Sequence, residues 1–232
     1  MDFTSSAVWV ALAYIIFTNI LLSGDNAVVI AMASRNLPKE HQRKAIFWGS
    51  AAAIFLRIVL TLVAVELLGL PFLKMIGAVL LVYIGVQLMA DSDDDNDMDA
   101  SPSLFSAIRT ILIADIVMSL DNVVAVAAAA DRAPPAMRIP LILIGLAMSI
   151  PLIIFGSTML LKVMEKYPVI ITLGAALLGY LAGEMFASDP AIHESLKGFL
   201  GEPNVPFQIL GILLVVVIGL WLKKRAHNKV EN

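Results

Sequence analysis

The sequence predicts an all-α membrane protein of about seven transmembrane helices, and three observations predict it. Of its 232 residues, 59% are hydrophobic and only 15% are charged. Soluble domains run nearer half apolar and about a quarter charged. The apolar excess lies in runs of about 20 residues, the length that crosses a hydrocarbon core of roughly 30 Å. The helix breakers fall between those runs or at their first residues: Pro38, Pro71, Pro102, Pro134, Pro135, Pro168, and the group Pro190, Pro203 and Pro206. There a missing N–H does no damage. The longest polar stretch, about 20 residues, is too short for a soluble domain. The chain has no cysteine, which excludes disulfides and thiolate metal sites.

The spans are read over 8–33, 43–67, 70–90, 104–130, 138–162, 167–186 and 207–222. The first carries Asp25 and is preceded by a single charged residue, Asp2. It lacks the basic start of a cleavable signal peptide and is read as retained. Pro140 suits the first turn of the fifth span, and Pro151 is expected to kink it. The seventh ends in Trp221-Leu-Lys-Lys-Arg225, an aromatic and basic anchor at the cytosolic surface. With the N-terminus outside, eleven Lys and Arg fall inside, among them Arg35, Lys39, Arg43, Lys44 and Arg109; four fall outside, Lys74, Arg132, Arg138 and Lys197. That bias predicts an N-out, C-in topology. The tract 91–99 holds six Asp in nine residues. It reads as a solvated cytosolic linker, because its charges repel one another.

The chain repeats itself. Ser23-Gly-Asp-Asn-Ala-Val-Val-Ile-Ala31 matches Ser119-Leu-Asp-Asn-Val-Val-Ala-Val-Ala127 at an offset of 96. Gly77-Ala-Val-Leu-Leu-Val-Tyr83 matches Gly174-Ala-Ala-Leu-Leu-Gly-Tyr180 at an offset of 97, and Pro38 falls on Pro134. The whole chain, 1–232, is therefore one transmembrane domain: repeat 1 over 8–90, the linker 91–103, repeat 2 over 104–186, and an extra helix over 207–222. Three spans per repeat is an odd number, so the second copy must sit inverted in the membrane. Inverted repeats with polar residues in corresponding helices mark transporters, with the site at the repeat interface.

Asp25 and Asp121 sit inside apolar spans. A lone carboxylate there costs a few kcal/mol, so it needs a partner, a proton, a cation or water. Each is followed by an Asn, Asn26 and Asn122, whose carbonyl is a neutral oxygen ligand. Two carboxylates and two amide oxygens would neutralise one divalent cation and supply part of its oxygen shell. Backbone carbonyls freed at a helix break, and water, could complete it. Gly24 favours such a break in the first copy; Leu120 does not favour one in the second. At helical spacing Asn19, Ser23 and Asn26 share one face, and Asp115, Ser119 and Asn122 share another. Asp25 and Asp121 point roughly 120° away from those faces, so either the helices are distorted or these carboxylates serve a neighbouring gap. The competing reading is that the polar faces only bond helices together, and it weighs most for the two serines.

Upright straight helices would set Asp25 and Asp121 about 13 Å apart along the membrane normal. That means two stations along a path, whereas tilt would merge them into one site; both readings stand. Arg57 lies mid-span and calls for a carboxylate among Asp25, Asp115 and Asp121. A structural or gating ion pair is favoured over substrate contact. Met32 and Met118 flank the motifs and are read as packing. Glu66 and Glu184 lie near outer span ends, within reach of water. His41, His193 and His227 sit in loops or the tail without ligand spacing, and no P-loop or G-x-S-x-G occurs. The chain is therefore expected not to be an enzyme.

At these residues the sequence resembles the TerC family of bacterial integral membrane proteins, over nearly its whole length. The likeness rests on Leu21-Leu-Ser-Gly-Asp-Asn-Ala27, on Arg43-Lys-Ala-Ile-Phe-Trp-Gly49 with Leu56-Arg-Ile58, and on Asp115-Ile-Val-Met-Ser-Leu-Asp-Asn122. It implies a fold like that of the LysE superfamily of exporters, two inverted three-helix repeats, in the bacterial inner membrane. It also implies manganese export and metal homeostasis, metal supply to secreted proteins, and tellurium resistance. By position, Asp25, Asn26, Asp115, Asp121 and Asn122 match the family's intramembrane polar residues. Many members carry Glu six residues before the first motif's Asp, where this chain has Asn19. The second copy keeps its acid, Asp115, so the site holds one carboxylate fewer.

The expected function is transport of a divalent cation, manganese (Mn2+) first, with no organic cofactor. Candidate ligands are Asp25, Asn26, Asp115, Asp121, Asn122, Asn19, Ser23 and Ser119, with Arg57 as ion-pair or gating residue. The expected partners are the lipid bilayer and the cation, not nucleic acid. A homo-oligomer, the secretion machinery and secreted metalloproteins are compatible with this reading. One alternative is an exporter of amino acids or other small solutes, which a pocket much larger than an ion between the first and fourth spans would favour. Another is a membrane scaffold or metal-delivery partner without flux of its own.

Overall fold

The computed structural model describes residues 6–67, 70–90, 103–130, 133–201 and 203–230. Among them the helices are α1 (Ser6–Leu21), α2 (Gly24–Ser34), α3 (Lys39–Leu67), α4 (Leu73–Ala90), α5 (Leu104–Ala130), α6 (Arg138–Lys166), α7 (Val169–Ala187), α8 (His193–Leu200) and α9 (Asn204–Val230). A 3-10 turn, Pro135–Met137, leads into α6, and the described residues contain no strand. Five helices are long and apolar enough to cross a membrane, and the number is seven if α1 with α2, and the two limbs of α5, each make one bent span. The chain is a multi-pass integral membrane protein. The acidic tract 91–99 and Arg132 lie outside the described residues.

The outward faces are apolar: Phe55 is 65% exposed, Phe105 76% and Phe155 68%. Those are the side chains a bilayer would cover. Pro151 lies inside α6, which runs through it without a break. The ring sits on the exposed side of the helix, and an apolar surrounding offers the helix no competing hydrogen-bond partner. α8 falls in a segment read as loop. Eight residues give too short a window for a helical period to stand out.

The helices cross-pair between the repeats. α3 packs on α5, α6 on α1 and α2, and α4 on α7. Each repeat's second helix thus lies against the other's first, and third lies against third. The glycines of the repeated Gly77 and Gly174 segments show why that spacing recurs. A Cβ on Gly77 would come within 2.9 Å of Val117 on α5, and one on Gly174 within 2.8 Å of Val28 on α2. Met32 closes over Gly174 as well, which makes it a packing residue.

The extra helix α9 docks on α7 through small residues. A Cβ on Gly179 would lie 2.4 Å from the Gly211 carbonyl oxygen, and one on Gly183 2.0 Å from that of Phe207. Only glycine lets these two backbones approach so closely. At the end of the bundle where α7 stops and α4 starts, Asp189 is fully buried. Its carboxylate accepts the backbone N–H groups of Phe72 at 3.0 Å, Met75 at 3.1 Å and Ala191 at 2.8 Å. Burial opposes its ionisation, but the amides outweigh that and hold its carboxyl below the usual carboxylate range. Phe72 takes a left-handed φ of 66° at this junction, so the clasp holds a conformation that L-residues disfavour.

Candidate functional site

The first Asp–Asn motif lies where one helix stops and another starts, with α1 and α2 bent by 44°. The second lies within α5, whose limbs Leu104–Leu120 and Asn122–Ala130 are bent by 58°. Leu120 therefore does not keep the second copy straight. Neither space nor φ requires glycine at the first: nothing lies within 4 Å of where a Gly24 Cβ would be, and Gly24 has no left-handed φ.

The motif side chains rewire the first break. In a continuous helix the Leu22 carbonyl would accept the N–H of Asn26. Here that N–H donates to Asp25 Oδ1 at 2.7 Å. The freed Leu22 carbonyl instead accepts Asn26 Nδ2 and Asn122 Nδ2, each at 3.3 Å. One carbonyl thus collects the asparagines of both repeats, as apolar surroundings demand of a freed backbone group. Straight upright helices would have held the motifs at different depths. The bends bring both asparagines to one point.

Beside this junction lies a buried polar network centred on Arg57, which is 1% exposed. Arg57 Nη2 pairs with Asp115 Oδ1 at 2.5 Å. Its Nε donates to Ser119 Oγ at 3.0 Å, and Nη1 to Asn19 Oδ1 at 3.1 Å and Ser23 Oγ at 3.3 Å. The Ser119 hydroxyl donates to Asp115 Oδ2 at 3.3 Å, and the Ser23 hydroxyl to Asn19 Oδ1 at 3.4 Å. Asn19 Nδ2 donates to Ser149 Oγ of α6. The two predicted faces therefore meet across the guanidinium, and of the three carboxylates considered for Arg57 the described partner is Asp115. The pair is neutral, and its other atoms are hydrogen-bonded, which is what makes a buried charge tolerable.

Between α2 and α5 is a cavity of about 10 Å³ lined by Asn26, Val29, Ile30, Ile111 and Asp115. Asn26 is 3% exposed, and its Oδ1 has no hydrogen-bond partner among the described residues. A second, larger space of about 260 Å³ opens between the α1–α2 break and α6, among Ile20, Ser23, Gly24, Leu152, Ile153 and Met159. Apart from the Ser23 hydroxyl its side chains are apolar.

The structure thus gathers Asn19, Ser23, Asp115 and Ser119 around Arg57, and Asn26 and Asn122 at the Leu22 carbonyl. Asp25 is half-buried and turned to the Asn26 amide in the first turn of its own helix. The side chains of Asp121 and Glu66 lie outside the described residues. Among the described residues no three His, Cys, Asp or Glu form a cluster able to hold a metal ion. Any cation here would rely on amide and carbonyl oxygens as well as carboxylate.

The model of the integral membrane protein TerC family matches residues 4–227. The chain belongs to the TerC family. Among its relatives in Bacillus subtilis (strain 168), the uncharacterized membrane protein YjbE is 42% identical over 209 residues, covering 90% of this chain and 92% of YjbE. The uncharacterized membrane protein YkoY is 25% identical, covering 97% of this chain and 74% of YkoY. The uncharacterized membrane protein YceF is 22% identical, covering 99% and 86%. No solved structure matches the chain. The TerC match spans both bent helices, Arg57 and α9 alike. Two groups that complete this TerC protein's network were not foreseen from sequence. Ser149 is one serine in a long apolar run, and its signal was only that it breaks that run. The Leu22 carbonyl belongs to the backbone and has no side-chain signature.

Proposed function

We propose that this TerC-family protein exports a divalent cation, manganese first, across the bacterial inner membrane through the junction of its two bent helices. The observation that carries the reading is the cavity between α2 and α5. It sits between the first and fourth spans and, at about 10 Å³, is on the scale of one water molecule. An exporter of amino acids would need a far larger polar pocket at that place, and the larger space beside α6 offers a solute's charged groups only one hydroxyl. The cavity's polar lining residues are Asp115 and Asn26, which carry hard oxygens, and Asn26 Oδ1 has no partner among the described residues. Such oxygens suit manganese, magnesium and calcium. Asp25 and Asp121 flank the junction and would carry the ion toward and away from it, powered by an ion gradient or the membrane potential. The Lys and Arg bias supports an N-out, C-in orientation for that path.

The test is flux in proteoliposomes of purified protein, with manganese and a panel of other divalent ions under a proton gradient. Wild-type protein is expected to move manganese. Asp25→Ala and Asp121→Ala are each expected to abolish that flux while still inserting in membranes, and Asn26→Leu to reduce it. No flux of any ion from wild-type protein would favour a scaffold or metal-delivery role. Normal manganese resistance in cells carrying Asp25→Ala or Asp121→Ala would overturn the proposal.

A further inference from the structure

The centre of the molecule already contains a cation, and it is part of the chain. We propose that Arg57 is a tethered counter-cation: it holds Asp115 while the site is empty and must release it before a substrate cation can bind. This rests on the cation-transport reading above and adds to it the control of the same site.

Three observations carry the inference. First, Asp115 serves two places at once. It pairs with Arg57 at 2.5 Å and lines the small cavity with Asn26. A cation entering that cavity meets a carboxylate already neutralised, with a guanidinium behind it. Two positive groups in so dry a place repel strongly, because little water screens them. Occupancy by one therefore disfavours occupancy by the other.

Second, the charges are distributed unequally over the repeat. At the offset of 96, Asp115 corresponds to Asn19 and Arg57 to Ile153. Repeat 1 supplies the positive charge and repeat 2 the negative one. The pair is made only across the interface, where a change in one repeat's position would be felt.

Third, Arg57 can let go at one end. Nη1 is held by Asn19 and Ser23, both of repeat 1, whereas Nη2 and Nε reach Asp115 and Ser119 of repeat 2. A guanidinium released from Asp115 keeps its repeat 1 partners. Its fork of donors is suited to such an exchange. Cation binding then unpins α3 from α5, and loss of the cation pins them again. An empty carrier is thereby held closed against leakage.

The experiment compares wild-type protein, Arg57→Gln and Arg57→Lys, measuring Mn2+ binding at equilibrium on purified protein in lipid nanodiscs and Mn2+ flux in proteoliposomes. Arg57→Gln is expected to bind Mn2+ about tenfold more tightly while its maximal flux falls by about as much. Arg57→Lys keeps the charge but loses the fork. It is expected to bind about threefold more tightly than wild type, and it serves alone if the neutral variant does not fold. Affinity unchanged or weakened in the variants, with wild-type flux present, would overturn the inference and leave manganese transport standing. A residue that only ties the fold together gives that second result: lower abundance without tighter binding. Wild-type protein that neither binds nor moves Mn2+ would overturn both.

Discussion

The two halves of the molecule solve the same bend with opposite groups. Repeat 1 interrupts its helix and frees the Leu22 carbonyl, then supplies the guanidinium of Arg57. Repeat 2 keeps α5 helical through a larger bend and supplies the Asn122 amide and the Asp115 carboxylate. One half presents the acceptor at the break and the cation in the network; the other presents the donor and the anion. The first break draws on both halves, since the Leu22 carbonyl accepts Asn26 of its own repeat and Asn122 of the other. Arg57 and Asp115 pair across the repeats, so the charged network is a property of the assembled pair.

The largest expected effect comes from removing one side of the charge match. Asp115→Leu leaves Arg57 buried without a counter-charge and should destabilise the protein by about 3–5 kcal/mol. Adding Arg57→Met should recover most of that loss, since an apolar pair of similar volume replaces a buried ion pair at little cost. Thermal unfolding in detergent reads both, and a double variant no better than the single one would break the comparison at its strongest point. Next comes the shared carbonyl. Asn26→Leu and Asn122→Leu should each lose about 1 kcal/mol. Losing both should cost more than the sum, because only then is the Leu22 carbonyl left without either amide; strict additivity would mean it finds another donor. The smallest effect is at Gly24. Gly24→Ala should be neutral or stabilise by up to about 1 kcal/mol, since space is open there. A clear loss of stability would show that glycine makes the first break after all.

Much of this was legible in the sequence. Each span is a long apolar run bounded by proline, which is the strongest signal a chain can carry. The faces Asn19/Ser23/Asn26 and Asp115/Ser119/Asn122 followed from helical spacing alone. The choice of Asp115 for Arg57 was not legible, because it depends on α3 crossing α5, and no local pattern encodes a crossing. The second bend was not legible for a related reason: its asparagine is held by a carbonyl 100 residues away in the chain. Asp189 went unnoticed since a loop aspartate ordinarily faces water, and only the fold reveals that it closes the start of another helix.

That aspartate bears on how the molecule could move. Asp189 belongs to repeat 2 yet holds two amides at the start of α4 in repeat 1, and α9 is locked to α7 backbone against backbone. These three helices make a chassis drawn from both halves. Rocking one intact half against the other would tear the chassis apart. Any such motion would instead fall to the bent helices and their partners α3 and α6, turning on that frame.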